Sequence, residues 1–201
     1  MGSRTMKTAA RFAAAIGLSA AVLLQGGVSY GQERDASKFI KLKTCVICHK
    51  KEATGNQFAK WQEMGHAKAF ERLGTDEAKD AAAKLGIDDP QTSGKCLKCH
   101  STAYNFTEER QTEVVTLEEG VSCQSCHGPG ADYKKKATMK DHDAAVAAGM
   151  IYPAKEKSCT LCHNDENPMW DPEKYTTADG KKTGFDVEQA YEKIKHENPS
   201  K

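Results

Sequence analysis

The chain is short of the side chains that ordinarily make a protein core. Only 38% of its 201 residues are hydrophobic and 7% aromatic, and the mean hydropathy is −0.68. Beyond one apolar run near the N-terminus, no stretch is apolar enough for a membrane span. Charge of one sign is not in excess either. There are 29 Lys and Arg against 28 Asp and Glu, which is not the balance of a nucleic-acid-binding protein. No Ser/His/Asp arrangement and no paired-carboxylate constellation suggests hydrolytic chemistry. Cysteine is present, but none is left over from a single repeated motif.

That motif is Cys-x-x-Cys-His, and it occurs at Cys45–His49, Cys96–His100, Cys123–His127 and Cys159–His163. It uses all eight cysteines: Cys45, Cys48, Cys96, Cys99, Cys123, Cys126, Cys159 and Cys162. This is the pattern of c-type haem attachment. Two thiols add across the two vinyl groups of one porphyrin, and the adjacent imidazole reaches the iron from the proximal side. Gly128, Pro129 and Gly130 stop the helix just past the third ligand. A Cys₄ zinc site or a disulfide scaffold needs no His after each second Cys. The four motifs therefore predict four covalently bound haem c groups. The first cysteines are 51, 27 and 36 residues apart, so no regular repeat is implied.

Residues 1–31 read as an export signal. Arg4, Lys7 and Arg11 form a basic n-region, Phe12–Leu24 an apolar h-region, and Ser29 and Gly31 the small residues before a cut. There is no cysteine for lipidation and no twin arginine. An uncleaved anchor is the alternative, but the run is short for a span. Export to the periplasm suits the cysteines, since bacterial haem c is attached outside the cytoplasm. Cleavage leaves 170 residues, 32–201, as one domain. It also takes the basic residues from 29 to 26 against 28 acidic ones, a balance of −2.

Haem can supply the core that the side chains do not. A haem face exceeds a Trp, which buries up to ~250 Å². At ~25 cal/mol per Å², each group could contribute more than ~6 kcal/mol as an upper bound. The expected fold is mainly α with little β, a single domain with a core of four stacked haems.

Local patterns place the elements. Phe58, Trp61, Ala69 and Leu73 are spaced for a helix over residues 55–73, with His66 inside it. Thr75 caps a second helix running to Leu85, with Asp76 and Glu77 in its first turn. Thr112–Leu117, around Val114 and Val115, carries the strand signal and predicts a short hairpin between the second and third haems. Residues 133–139 and 141–148 are helical pieces, residues 155–163 a short helix with the fourth site, and residues 164–180 a loop. Asp186, Gln189, Phe185 and Ala190 form a capping box with a staple, starting a last helix that runs to about His196.

Histidine is scarce relative to the irons. His49, His100, His127 and His163 are proximal, which leaves His66, His142 and His196 as distal candidates among seven in all. Four bis-histidine irons need eight imidazoles, so at least one iron within a monomer lacks a histidine pair. Met64, Met139, Met150 and Met169 are the other soft donors. Each spare histidine also has a plain reading as a solvated helix or terminal residue.

Four such sites, the His66–Ala69 run His-Ala-Lys-Ala, the Gly120–Gly130 block Gly-Val-Ser-Cys-Gln-Ser-Cys-His-Gly-Pro-Gly, and a late His on the last helix resemble the tetrahaem cytochrome c-554 family of ammonia-oxidising bacteria. The resemblance spans most of residues 40–198. It implies a mainly helical fold whose haems stack in parallel and perpendicular pairs, like part of the hydroxylamine oxidoreductase haem core. It implies three bis-histidine irons and one five-coordinate iron. By position it pairs His49 with His142, His127 with His66, and His163 with His196, leaving His100 with the open haem.

Two function classes follow. The first is an electron carrier between redox proteins. By the resemblance, its donor is a hydroxylamine-oxidising enzyme and its acceptor a membrane quinone-linked cytochrome. The second is a reductase acting on nitric oxide, nitrite or a similar small ligand at the open iron on His100, which would also need nearby proton donors. Neither class needs nucleic acid or a stable membrane span.

Overall fold

The computed structural model describes residues 1–2, 35–102, 104, 113–196, 198 and 199. The expected export signal lies outside these, apart from its first two residues. Helices dominate and are short: α1 Leu42–His49, α2 Gln57–Glu63, α3 Ala69–Arg72, α4 Asp76–Lys84, α5 Gly94–His100, α6 Cys123–His127, α7 Lys136–Lys140, α8 His142–Ala147, α9 Glu156–Cys159 and α10 Val187–Ile194. A two-stranded antiparallel hairpin, β1 Tyr175–Thr176 and β2 Lys182–Thr183, is the described sheet. The chain is mainly helical with little strand, as expected.

The helix starts follow their caps. The Thr75 hydroxyl accepts from the Ala78 N–H at 3.3 Å. The Asp186 carboxylate accepts from the Gln189 N–H at 2.9 Å, and the Gln189 amide returns to Asp186 at 2.9 Å. Asp186 is therefore the expected N-cap, but the Gln189 side chain bonds to its carboxylate and not to its backbone N–H, so the reciprocal half of a capping box is replaced. Three expectations give way. The helix over residues 55–73 is interrupted between Glu63 and Ala69. There the His66 carbonyl accepts the Val121 N–H at 2.9 Å, a partner from far along the chain. The strand expected at Thr112–Leu117 is not formed over its described residues. Residues 113–116 turn, and Leu117–Glu119 is a 3-10 turn; Thr112 is outside the described residues. Val115 is instead buried against Phe39, with Tyr104, Val114 and Leu117 around them. The strands that do form include β1, which falls in the segment expected to be loop.

Buried polar groups hold the segments together. Thr102 is 2% exposed. Its hydroxyl accepts the Ser122 N–H at 2.7 Å, lies 2.8 Å from the Ser125 hydroxyl, and donates to the Gly120 carbonyl at 3.0 Å. It therefore locks the end of the second motif onto the start of the third. Gln124, inside the third motif, pairs with Ile40 as a strand would. Its Oε1 accepts the Ile40 N–H at 2.9 Å and its Nε2 donates to the Ile40 carbonyl at 2.7 Å. Gly120 has φ 59°, and a Cβ there would lie 2.7 Å from the His66 carbonyl oxygen, so only glycine admits this crossing.

Thr102→Val keeps the shape but removes the acceptor of a buried N–H. It should lower folding stability of the mature protein by about 1–3 kcal/mol in denaturant titration, while Thr102→Ser should retain most of it. Glu119 gives a pH signature. Its Oε2 is buried without a partner. Burial, with a smaller push from Glu118, raises its carboxyl to about 7, against opposing hydrogen bonds from Thr116 and Ser122. Between the ordinary 4.5 and about 7 the folded state holds a proton that the unfolded state releases. Stability from this group is therefore present at low pH and lost as pH rises through that window. Glu119→Gln should flatten that slope in pH-resolved denaturant titrations.

Candidate haem-binding centres

Each motif is carried on a helical turn, which puts the second cysteine and the histidine on the same side as the first. The first three motifs end α1, α5 and α6. In the fourth, Cys159 ends α9 and the His163 N–H still donates to the Cys159 carbonyl at 2.9 Å, so the turn continues past the helix.

Three proximal imidazoles are fixed through Nδ1. His100 Nδ1 lies 2.8 Å from the Ala69 carbonyl, His127 Nδ1 3.1 Å from the Ile151 carbonyl, and His49 Nδ1 3.0 Å from Gln57 Oε1. With Nδ1–H donating to these oxygens, Nε2 is the nitrogen that carries the lone pair for a metal, the usual support of a ligating histidine. His163 is positioned differently, stacked face to face on Phe185 at 4.6 Å and 6°. Phe185 in turn meets Tyr175 edge-on at 5.9 Å, so the hairpin props the fourth imidazole.

The spare histidines approach the proximal ones. The His66 and His163 ring centres are 6.1 Å apart, and those of His127 and His196 are 5.8 Å apart. Two imidazoles on opposite sides of one metal, with bonds near ~2 Å, have centres roughly 6 Å apart. His66 thus lies beside His163 and His196 beside His127, whereas the resemblance pairs His66 with His127 and His196 with His163. His142 is exposed, with its Nδ1 3.1 Å from Asp143 Oδ1 and its ring edge-on to Tyr152 at 5.1 Å. Burial holds the imidazoles of His66 and His196 below the usual histidine range. Burial of its inner face, with the His66 ring beside it, takes His163 down to about 4, although its outer edge is exposed. Neutral imidazole is the form that ligates a metal.

Thiol contacts link the motifs in pairs, and the Ser158 hydroxyl also ties the fourth site to the third by donating to the Cys126 carbonyl at 3.1 Å. Cys45 and Cys123 share a thiol hydrogen bond, which pulls Cys45 down and, with burial, pushes Cys123 well above the usual thiol range. Cys99 is likewise bonded to Cys162, and this takes it down to about 7. So the first and third sites adjoin, and the second and fourth adjoin. None of the eight cysteines is in a disulfide. Among the described residues no group of three or more His, Cys, Asp or Glu gathers as a metal-ligand cluster. A pair of thiols with an imidazole beside the second one in each motif fits covalent haem. Tyr104 packs with the Phe39 and Val115 cluster. Thr102 and Gln124 are the supporting residues that the sequence did not reveal, because their partners lie 18 to 84 positions away.

No helix among the described residues is long and apolar enough to cross a membrane. A family model described as "Cytochrome c554 and c-prime" matches residues 44–128, a stretch that contains the first three motifs. Over 176 residues the chain is 31% identical to cytochrome c-554 of Nitrosomonas europaea, covering 78% of this chain and 70% of that protein. The solved structure of reduced cytochrome c554 from that organism is also similar, with a TM-score of 0.48 and 24% identity over 77% of each chain. The chain belongs to the cytochrome c-554 family: it is a c-type cytochrome, an electron carrier with covalently attached haem.

Proposed function

We propose that residues 32–201 form an exported, periplasmic tetrahaem cytochrome that relays electrons between two protein partners, with three bis-histidine irons and one open iron on His100. The cysteines of each motif hold one haem, and His49, His100, His127 and His163 are the proximal ligands. The observation that carries this reading is the pair of facing imidazole couples, His66 with His163 at 6.1 Å and His127 with His196 at 5.8 Å. His142 is then the sixth ligand left for the iron on His49. By the resemblance to the family, the open position falls to the iron on His100. Side-by-side sites shorten each electron step, and the chain's own work is to fix ligand and spacing. A hydroxylamine-oxidising donor and a quinone-linked acceptor, within nitrogen metabolism, are the partners the family suggests.

The open iron also supports the second reading, reduction of nitric oxide or nitrite. The two separate by turnover. A carrier reduced by dithionite should bind about one carbon monoxide per chain without catalytic consumption of nitric oxide, whereas a reductase should consume it continuously.

Electron spin resonance of the ferric protein should show one high-spin iron in four. His66→Ala should give two, with carbon monoxide uptake rising to about two per chain, because the iron facing it loses a strong donor. Unchanged spectra in His66→Ala would refute its role as a ligand.

A further inference from the structure

The first haem site has an unusual outer face. Lys43 and Ile47 on α1 and Lys50, the residue that caps its C-terminal end, are spaced i, i+4, i+7 and share one side, opposite the half-buried Cys45 and His49. Lys41 precedes the helix and Lys51 follows it, and all four lysines are exposed. Ile47 is 62% exposed, and it lies in sequence between Cys45 and Cys48 of the first motif. The ion pairs found among the described residues involve none of these four lysines. The nearest carboxylate in sequence, Glu52, is engaged by the Asn56 amide at 2.7 Å.

The charge is also polarised along the molecule. Residues 38–51 hold five lysines and no carboxylate, so an exported chain at −2 carries −7 over its other residues. The fourth site is followed by exposed Asp165, Glu166, Asp171 and Glu173. An apolar centre within a rim of unpaired charge is the anatomy of a small, transient interface. Like charges left unpaired on one face are a cost to the monomer that an oppositely charged partner removes. The field of such a patch also steers the encounter.

We infer that the Lys41, Lys43, Lys50 and Lys51 face around Ile47 is the docking surface for an acidic redox protein, which exchanges electrons with the haem attached at Cys45 and Cys48. This rests on the electron-carrier reading. Each event moves one electron between the partner's prosthetic group and that haem, so one is oxidised as the other is reduced. The acidic surface at the fourth site repels the same partner, so exchange with it is confined to the first site.

The test is rapid mixing of the oxidised holoprotein with a reduced acidic flavodoxin, and in parallel with a reduced basic monohaem cytochrome c, at several ionic strengths. The wild-type rate with flavodoxin should fall steeply with salt. Lys43→Glu/Lys50→Glu, with its four haems verified, should slow that rate about tenfold or more at low salt and flatten its salt dependence. It should not slow the basic cytochrome. Lys43→Arg/Lys50→Arg should behave as wild type, and Asp165→Asn/Glu166→Gln should leave the flavodoxin rate within about twofold. A charge-reversed variant that reacts with flavodoxin as fast as wild type would overturn the docking face while leaving the carrier reading intact. Failure of the wild type to exchange electrons with either protein would overturn both.

Discussion

A hydrogen bond from the inner nitrogen of three of the four proximal imidazoles decides where the outer nitrogen points, and the fold is arranged to supply its acceptor. Ala69 opens α3 and receives His100 from α5; Ile151 receives His127 from α6; Gln57 opens α2 and receives His49 from α1. The same contacts that aim the ligands therefore bring the helices together. A chain with few large buried apolar side chains cannot fix short helices by packing alone. Buried polar struts take that part, Thr102 between the second and third motifs and Gln124 between the third and the lead into the first. Each strut is strong because its groups are shielded from water and an unpaired one would be costly.

The consequence is a grouping of sites that chain order does not suggest. The first site adjoins the third through Cys45 and Cys123, and the second adjoins the fourth through Cys99 and Cys162. The distal candidates follow that grouping. His196 comes to His127 and also acts electrostatically with His49, while His66 comes to His163, which also acts with His100. Exposed lysines flank the first site and exposed carboxylates follow the fourth, so these two sites differ in surface charge.

The sequence carried the chemistry better than the path of the chain. Thr75 and Asp186 were legible because a cap bonds to a neighbour three residues on. The motifs were legible because haem attachment is local. The break between α2 and α3 was not, because its cause is a bond from His66 to Val121. Val114 and Val115 looked like a strand because apolar β-branched residues suit both a strand and a buried turn, and here Phe39 decides the matter. The hairpin of β1 and β2 was hidden behind Pro168 and Pro172, although Asp179 and Gly180, with φ 81° at the glycine, form its turn. The distal pairing could be counted from seven histidines but not assigned, since segments 97 residues apart in sequence meet at His66 and His163.

The central claim is that haem, covalently held at all four motifs, supplies the core this chain lacks. Intact mass measurement of the matured protein after acid–acetone extraction tests it most directly. The account predicts a chain starting at Gln32 with four haems still attached. Fewer than four haems on protein matured in a competent host, with the remaining cysteines as thiols, would contradict it.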